Sequence, residues 1–98
     1  MTTPLLEQAL AAIRARREKA LALGIELVGV VGSVARDEAG PESDVDVAYA
    51  IVGRPSLFDL GGLLTDLQGD LDRRVDLVDL DRIKPMFQED IERDLVRA

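Results

Sequence analysis

The sequence contains no cysteine, no histidine and no tryptophan, and these absences narrow the chemistry available to it. Without cysteine there can be no disulfide framework and no thiolate metal site. Without histidine, His-based catalytic triads and ordinary zinc catalysis are excluded. Catalysis would have to use carboxylates, hydroxyls, Arg, Lys, the backbone or a hard metal ion. The lack of cysteine also fits a reducing compartment, so we expect a cytoplasmic protein.

Aromatic residues and long apolar runs are also scarce. One tyrosine and two phenylalanines are the only aromatic residues, so the core must be built mainly from Leu, Val, Ile and Ala. The apolar share of 47% is ordinary for a globular protein and too high for a disordered one. No run approaches the roughly 18 apolar residues that span a membrane, and the N-terminus lacks a signal-peptide pattern. We therefore expect one domain, residues 1–98, with no membrane contact.

Positive charge is in the minority: 12 Lys and Arg residues stand against 19 Asp and Glu residues, for a net charge of −7. Binding to DNA or RNA needs a basic surface, so direct nucleic-acid binding is not expected. A basic protein partner is compatible with this charge. Acidic residues are densest in residues 37–46, which contain no basic residue. This stretch is the first place to look for a bound cation.

The hydrophobic pattern predicts helices and strands in the order α-β-α-β-α-β-α. A first helix is predicted from Thr3-Pro4, an N-cap followed by proline at the first helical position. The predicted elements after it are a strand over 25–31, a short helix over 33–39, a strand over 44–52, a helix over 56–71, a strand over 74–80 and a helix over 85–97. In the last helix Met86, Ile91 and Leu95 should face inward. The order predicts a small α/β domain, with helices covering one face of a mixed sheet.

The most informative stretch lies between the first two predicted strands. The apolar run of the first strand stops at Gly32-Ser33, a polar segment follows, and the next strand carries Asp44 and Asp46. Residues two apart on a strand point to the same face. The two carboxylates should therefore lie side by side, where like charges repel each other. A divalent cation would remove this repulsion, and Mg²⁺ prefers such oxygen ligands.

Each part of this stretch also has a plain structural interpretation. Gly32-Ser33 could be a helix start with a serine N-cap, while Asp44 and Asp46 could be a turn residue and an edge-strand residue. The combination favours a phosphate site. Free N–H groups at a helix start bind phosphate, Ser33 adds a hydroxyl, and Gly32 permits a close approach.

Two further residues near this stretch have more than one interpretation. Arg36, on the short helix, could contact a phosphate or could pair with Glu38, Glu42 or an acidic residue of a partner. Both interpretations stay open. Ser43 is expected to cap or orient the loop that carries Asp44.

This arrangement resembles the signature of the DNA polymerase beta nucleotidyltransferase superfamily: Gly-Ser, a short helix, then Asp-x-Asp on a strand. It is most similar to the minimal nucleotidyltransferase (MNT) domains, through Gly32-Ser33-x-Ala35-Arg36 followed by Ser43-Asp44-x-Asp46. The order of the remaining elements also fits, so the resemblance spans nearly the whole chain. It departs at Asp37, where family members commonly carry glycine. The resemblance implies a small nucleotidyltransferase fold with a three-stranded or slightly larger mixed sheet.

The resemblance also implies a set of site residues. Asp44 and Asp46 would each hold Mg²⁺. Asp76 matches the third family carboxylate, which binds the metal beside the attacking hydroxyl and can accept its proton. The residues expected to contact the nucleotide are Gly32, Ser33, Arg36 and Ser43.

Asp76 has three rivals for the role of the third carboxylate. Asp72 and Asp81 fall at loop ends, where solvated Asp is common. Asp79 is closer to a match, but three residues along a strand from Asp76 it points to the opposite face. Asp76 lies mid-strand between apolar neighbours, where an unpartnered carboxylate would be costly. The pattern therefore favours Asp76.

By the same resemblance, the protein would be a Mg-dependent nucleotidyltransferase that uses two Mg²⁺ ions to move AMP from ATP onto a hydroxyl group. MNT domains are often paired with a HEPN-domain toxin ribonuclease, which some neutralise by transferring AMP to a tyrosine. The chain would then be the antitoxin, a protein adenylyltransferase. The alternative is a binding module that neutralises its HEPN partner by contact alone, and Asp37 keeps that alternative open. An antibiotic-modifying enzyme is disfavoured by the size of the chain.

Overall fold

The computed structural model describes residues 4–98, so the predicted N-cap at Thr3 lies outside the described residues. In chain order the elements are α1 (Pro4–Ala22), β1 (Ile25–Val31), α2 (Gly32–Ala35), β2 (Val45–Ile51), α3 (Leu57–Leu71), β3 (Val75–Asp79), a 3-10 helix (Leu80–Arg82), α4 (Pro85–Asp94) and β4 (Val96–Arg97). The mixed α/β class is confirmed. The first three strands agree with their predicted spans to within one residue.

The four strands form one mixed sheet in the order β3-β2-β1-β4. β1 pairs antiparallel with both β2 and β4, whereas β2 and β3 are parallel. A parallel pair needs a crossover connection, and α3 supplies it. As a result the C-terminal end of β1 lies beside the N-terminal ends of β2 and β3. These strand ends form one edge of the sheet. Chain segments far apart in sequence meet at this edge.

The last helix is shorter than its pattern predicts, because the chain leaves helical conformation after Asp94 and forms β4. Val96 and Arg97 pair with Val30 and Gly29 of β1. A two-residue strand is too short to have a hydrophobic period of its own, so it is hidden behind the helical pattern that precedes it. The sheet therefore gains a fourth strand.

Helices lie on both faces of the sheet, which corrects the prediction of one covered face. α1 and α3 pack on the first face and form the main core, with Ile13, Leu67 and Val47 fully buried there. On the second face a smaller cluster joins the strands to α4 and the 3-10 helix; it contains Val28, Val31, Ala48, Val78, Leu80, Ile91 and Leu95. No helix within residues 4–98 is long and apolar enough to cross a bilayer.

The inward face predicted for the last helix is correct in part. Ile91 and Leu95 are half-buried and pack in the smaller cluster. Met86, in contrast, is 75% exposed at the start of α4. Met86 is not part of the cluster that covers Ile91 and Leu95, so helical spacing alone misassigned it.

Gly29 marks the point where β4 lies against β1. A Cβ atom at this position would collide with the carbonyl oxygen of Val96. Because that atom belongs to the backbone, it cannot move aside as the end of a flexible side chain could. We expect Gly29→Ala to displace β4 and to lower the free energy of unfolding by about 1–3 kcal/mol, as overpacking does. Urea denaturation would measure the change.

The matched control for Gly29→Ala is Gly61→Ala on α3. A Cβ atom at Gly61 meets nothing within 4 Å. Removing a glycine from a helix interior should stabilise the protein by up to about 1 kcal/mol. Equal denaturation midpoints for the two variants would contradict the close approach of β4 at Gly29.

Candidate active site

Three of the predicted site residues meet at the edge of the sheet where β1 ends. Asp46 on β2 is the register partner of Asp76 on β3. On its other side Asp46 is paired with Val31, the last residue of β1, and Gly32 follows directly. Paired residues of neighbouring strands point to the same face. The structure therefore brings Gly32, Asp46 and Asp76 together.

Asp46 lies in an environment that disfavours its negative charge. Its pKa is raised above the ordinary value, chiefly by burial and then by the negative charges of Asp76 and Asp44. The positive charge of Arg36 acts in the opposite direction. A half-buried carboxylate flanked by two others favours a cation beside it.

Asp44 immediately precedes β2 and is not part of the strand, which corrects the predicted strand start at residue 44. Its carboxylate is half-buried, and its Oδ2 lies 4.0 Å from Nε of Arg74. Arg74 is 76% exposed, so this contact is weak. Asp44 therefore keeps a negative charge available to the site.

None of the three rivals of Asp76 is a register partner of Asp46. Asp79 is three residues further along β3 and faces the opposite side of the sheet; it accepts a hydrogen bond from the N–H of Asp81 at 2.9 Å. Its Oδ2 also lies 3.8 Å from Nε of Arg82. Asp72 ends α3 in the left-handed conformation, and Asp81 is exposed in the 3-10 helix. Their placement agrees with the positions inferred from strand parity and loop ends.

Gly32 makes the closest approach to the carboxylates. Its φ angle is +76°, in the left-handed region that side chains disfavour. A Cβ atom here would collide with Oδ2 of Asp46. Glycine is therefore required at position 32 for two reasons: the backbone angle is positive, and Asp46 occupies the space that a side chain would need.

Ser33 lies inside α2, so the interpretation of this residue as an N-cap is wrong. The N-cap position is held by Val31, without a side-chain hydrogen bond to the helix. α2 ends at Ala35, four residues before its predicted end, because Asp37 adopts a φ angle of 60° and cannot continue the helix. Asp tolerates this conformation better than most residues, so the backbone here can carry Asp in place of glycine.

Arg36 forms two ion pairs. Its Nε donates to Oε2 of Glu38 at 3.0 Å, and its Nη1 donates to Oδ2 of Asp94 at 2.8 Å. Both hydrogen bonds raise the pKa of Arg36 above its already high ordinary value, and the bond to Asp94 has the larger effect. The pairing with Glu38 is one of the interpretations that the sequence left open, and contact with a phosphate stays a prediction. Asp94 was missed, because no local pattern links residues 58 positions apart.

Ser43 closes the turn that precedes Asp44. Its Oγ accepts a hydrogen bond from the N–H of Gly40 at 2.7 Å. Arg73 supports the same turn from outside, because its Nη1 donates to the carbonyl oxygen of Ser43 at 3.0 Å. Ser43 therefore orients the loop as predicted, while its contact with a nucleotide stays a prediction.

The donors at this edge fit Mg²⁺ by their chemistry. They are carboxylate oxygens, which hard divalent cations prefer, and the repulsion at Asp46 gives a physical reason for a cation to bind. Among residues 4–98, however, no three acidic side chains converge into a group that could hold a metal ion as they stand. Metal binding therefore stays a prediction, with Asp44, Asp46 and Asp76 as its candidates.

Comparison with known proteins gives matches over most of the chain. The family model described as "Polymerase beta, Nucleotidyltransferase" matches residues 17–96, a range that includes every predicted site residue. A solved structure described as a minimal nucleotidyltransferase is 38% identical, with a TM-score of 0.67. That match covers 89% of this chain and 93% of the other.

Two toxin–antitoxin structures share the fold at lower identity. One, solved with AMP-PNP, is 20% identical with a TM-score of 0.66. The other, a mutant of the MntA–HpeT pair, is 18% identical with a TM-score of 0.63. Both matches cover 93% of this chain and 69% of the other chain, and at such identities they show the fold alone. No curated protein sequence gives a significant match.

Proposed function

Because the chain belongs to the polymerase beta nucleotidyltransferase family, we propose that it is a Mg-dependent enzyme that transfers AMP from ATP to a hydroxyl group of a partner protein. One observation carries the proposal: Asp46 and Asp76 are register partners on parallel strands, directly beside Gly32. Residues separated by 30 positions in the chain are thereby placed on one face. A purely structural role would not require two carboxylates to lie side by side where these strands begin.

In the proposed site, Asp44, Asp46 and Asp76 would hold two Mg²⁺ ions. When bound, the ions would neutralise charge on the attacking and leaving oxygens. Asp76 is exposed on the edge strand β3, so an acceptor hydroxyl can approach it from solvent. Its carboxylate would orient that hydroxyl and accept its proton.

The nucleotide would lie against the loop that follows β1. Gly32 allows the backbone to come close to the phosphates, Ser33 contributes a hydroxyl, and Arg36 contributes positive charge. The acceptor oxygen would form a bond to the α-phosphorus, while the bond from that phosphorus to the bridging oxygen breaks and pyrophosphate leaves. Ser43 would act through the loop that presents Asp44.

We further propose that the partner is a HEPN-domain toxin and that the chain is its antitoxin. The shared fold with two toxin–antitoxin structures supports this assignment. In this scheme the acceptor hydroxyl belongs to the toxin, and modification of that residue abolishes toxicity.

A contact-only antitoxin is the second candidate. It is favoured by the lack of a converged acidic group in residues 4–98 and by Asp37, which adds negative charge next to the proposed phosphate loop. In this case the fold would bind the toxin without transferring AMP. The two candidates differ in whether Asp76 is needed for growth rescue.

Replacing Asp76 tests the proposed function. Asp76→Asn should lower the transfer of radiolabelled AMP to a co-purified HEPN toxin by about 10²-fold or more, because the proton acceptor is lost. Asp79→Asn is the matched control, since Asp79 lies on the same strand but on the opposite face, and Asn preserves its capping role. The control should transfer AMP at nearly the wild-type rate, and both variants should bind the toxin normally.

Growth rescue, measured with the same variants, separates the two candidates. Loss of labelling together with loss of rescue would support catalysis as the means of neutralisation. Loss of labelling with full rescue would support neutralisation by contact. If Asp79→Asn were the inactive variant, the assignment of Asp76 would be wrong.

A further inference from the structure

Asp94, the less exposed of the two partners of Arg36, is held in place on both sides. It is the last residue of α4, and its side chain is only 10% exposed. Leu95, which follows it, packs in the cluster on the second face of the sheet. Val96 then pairs with Val30 of β1. The carboxylate is therefore fixed relative to β1, the strand that leads into the site.

The two acidic partners of Arg36 differ in how readily they can be exchanged. Glu38 is 63% exposed, and an exposed ion pair contributes only about 0–1 kcal/mol. Asp94 is almost covered, and its other contact, between its Oδ1 and Nε of Arg93 at 3.6 Å, is longer and involves a side chain that is 70% exposed. Breaking the pair with Arg36 would therefore leave a nearly buried charge with only weak compensation. Asp94 is thus the partner that stays bound to Arg36 when a ligand arrives, whereas Glu38 can be replaced by another anion.

Arg36 keeps hydrogen-bond donors available while Asp94 holds it. A guanidinium carries five N–H donors in one plane. Among the hydrogen bonds of residues 4–98, those of Arg36 use Nε and Nη1, and none uses Nη2. The guanidinium also lies near enough to Asp46 for its charge to act on that carboxylate. Its free donors are therefore at the edge of the proposed site.

We propose that Asp94 is a positioning residue that fixes Arg36 for contact with the terminal phosphates, so that the site selects nucleoside triphosphates over monophosphates. The inference rests on the proposed nucleotidyltransferase function. A guanidinium already fixed by a carboxylate loses less conformational freedom when it binds phosphate. An anion at the terminal phosphates would replace Glu38 and use Nη2, while the bond to Asp94 persists. AMP lacks those phosphates, so the fixed position of Arg36 does not increase its affinity.

Calorimetry of the full chain with Mg²⁺ and without an acceptor tests this inference. Asp94→Asn should weaken ATP binding by about tenfold, the effect of losing one charged hydrogen bond, while AMP binding stays within about twofold. Glu89→Gln is the matched control on the same helix, because Glu89 is exposed and forms no ion pair within residues 4–98. The control should bind both nucleotides like the wild type.

A double substitution distinguishes positioning from a general effect on the fold. In the Arg36→Ala background, Asp94→Asn should cause no further loss of ATP affinity, because its effect passes through Arg36. A further tenfold loss there would overturn the inference, as would equal weakening of ATP and AMP. Tighter ATP binding by Asp94→Asn would also overturn it, since Asp94 would then compete with the nucleotide for Arg36.

Two further outcomes are informative. If Asp94→Asn does not fold, Asp94→Glu keeps the charge but displaces it, and it should weaken ATP binding while sparing AMP; unchanged ATP affinity in that variant would overturn the inference. Failure of the wild type to bind ATP with Mg²⁺ would overturn the proposed function and this inference with it. Wild-type binding of ATP with no effect of Asp94 substitution would overturn the inference alone.

Discussion

Replacing Asp46 with Asn is expected to abolish AMP transfer while making the metal-free protein more stable at neutral pH. Transfer should fall by about 10²-fold or more, because the central carboxylate of the proposed site is lost. Stability should rise because the substitution removes a charge that burial and its neighbours Asp76 and Asp44 disfavour. Relief of a like-charged cross-strand pair is expected to add roughly 0.2–1 kcal/mol. For a domain of this size, that gain raises the melting temperature by up to about 8 °C.

The pH dependence of this gain identifies its cause. Folding raises the pKa of Asp46, so this group stabilises the fold most below its unfolded pKa and loses that contribution as pH rises through the folded value. Asn has no such contribution to lose. The stability difference between Asp46→Asn and the wild type should therefore be smallest in acid and should grow as pH rises from about 4 to neutrality.

Thermal denaturation in EDTA across this pH range would measure the difference. Asp81→Asn, at an exposed position in the 3-10 helix, serves as the control and should show no such pH-dependent gain. A stability gain for Asp46→Asn that is the same at every pH would contradict an origin in charge. Wild-type transfer rates in the variant would refute the place of Asp46 in the site.

Replacing Gly32 with Ala is expected to have a comparable effect on transfer for a geometric reason. The φ angle of +76° would strain any residue with a side chain, at a cost of about 1–3 kcal/mol. The added methyl group would also collide with Oδ2 of Asp46 and displace that carboxylate. Misplacement of a reacting group by about 1 Å can lower a rate by about 10²-fold. Transfer assays and chemical denaturation of the same preparations would measure the two effects.

Gly24→Ala is the matched control for Gly32→Ala. Gly24 also has a positive φ angle, +91°, and an added Cβ atom would meet the backbone of Gly53 and Arg54. It precedes β1, at the opposite edge of the sheet from the site. We expect Gly24→Ala to lose stability but to keep its transfer rate per folded molecule. If both variants lost transfer only in proportion to unfolding, the close approach of Gly32 to Asp46 would have no catalytic importance.

The sequence by itself was sufficient to predict the first three strands and the face on which the carboxylates lie. β1 is an apolar run rich in β-branched residues, and in β2 and β3 Val and other apolar residues surround the aspartates. The two-residue period of a strand is a local property, so it separates Asp76 from Asp79 without reference to the rest of the fold. Membership of the family was likewise predictable, because its motif lies within one short stretch, residues 32–46.

Only the tertiary structure decided which distant residues meet. β4 exists because the backbone of Val96 can lie against Gly29, and a two-residue strand has no period from which to predict it. The same turn out of α4 places Asp94 against Arg36, 58 residues earlier in the chain. Ion pairs of this kind depend on where each element ends and how it packs. Those positions are set by the whole core at once, whereas a sequence pattern reports only neighbours along the chain.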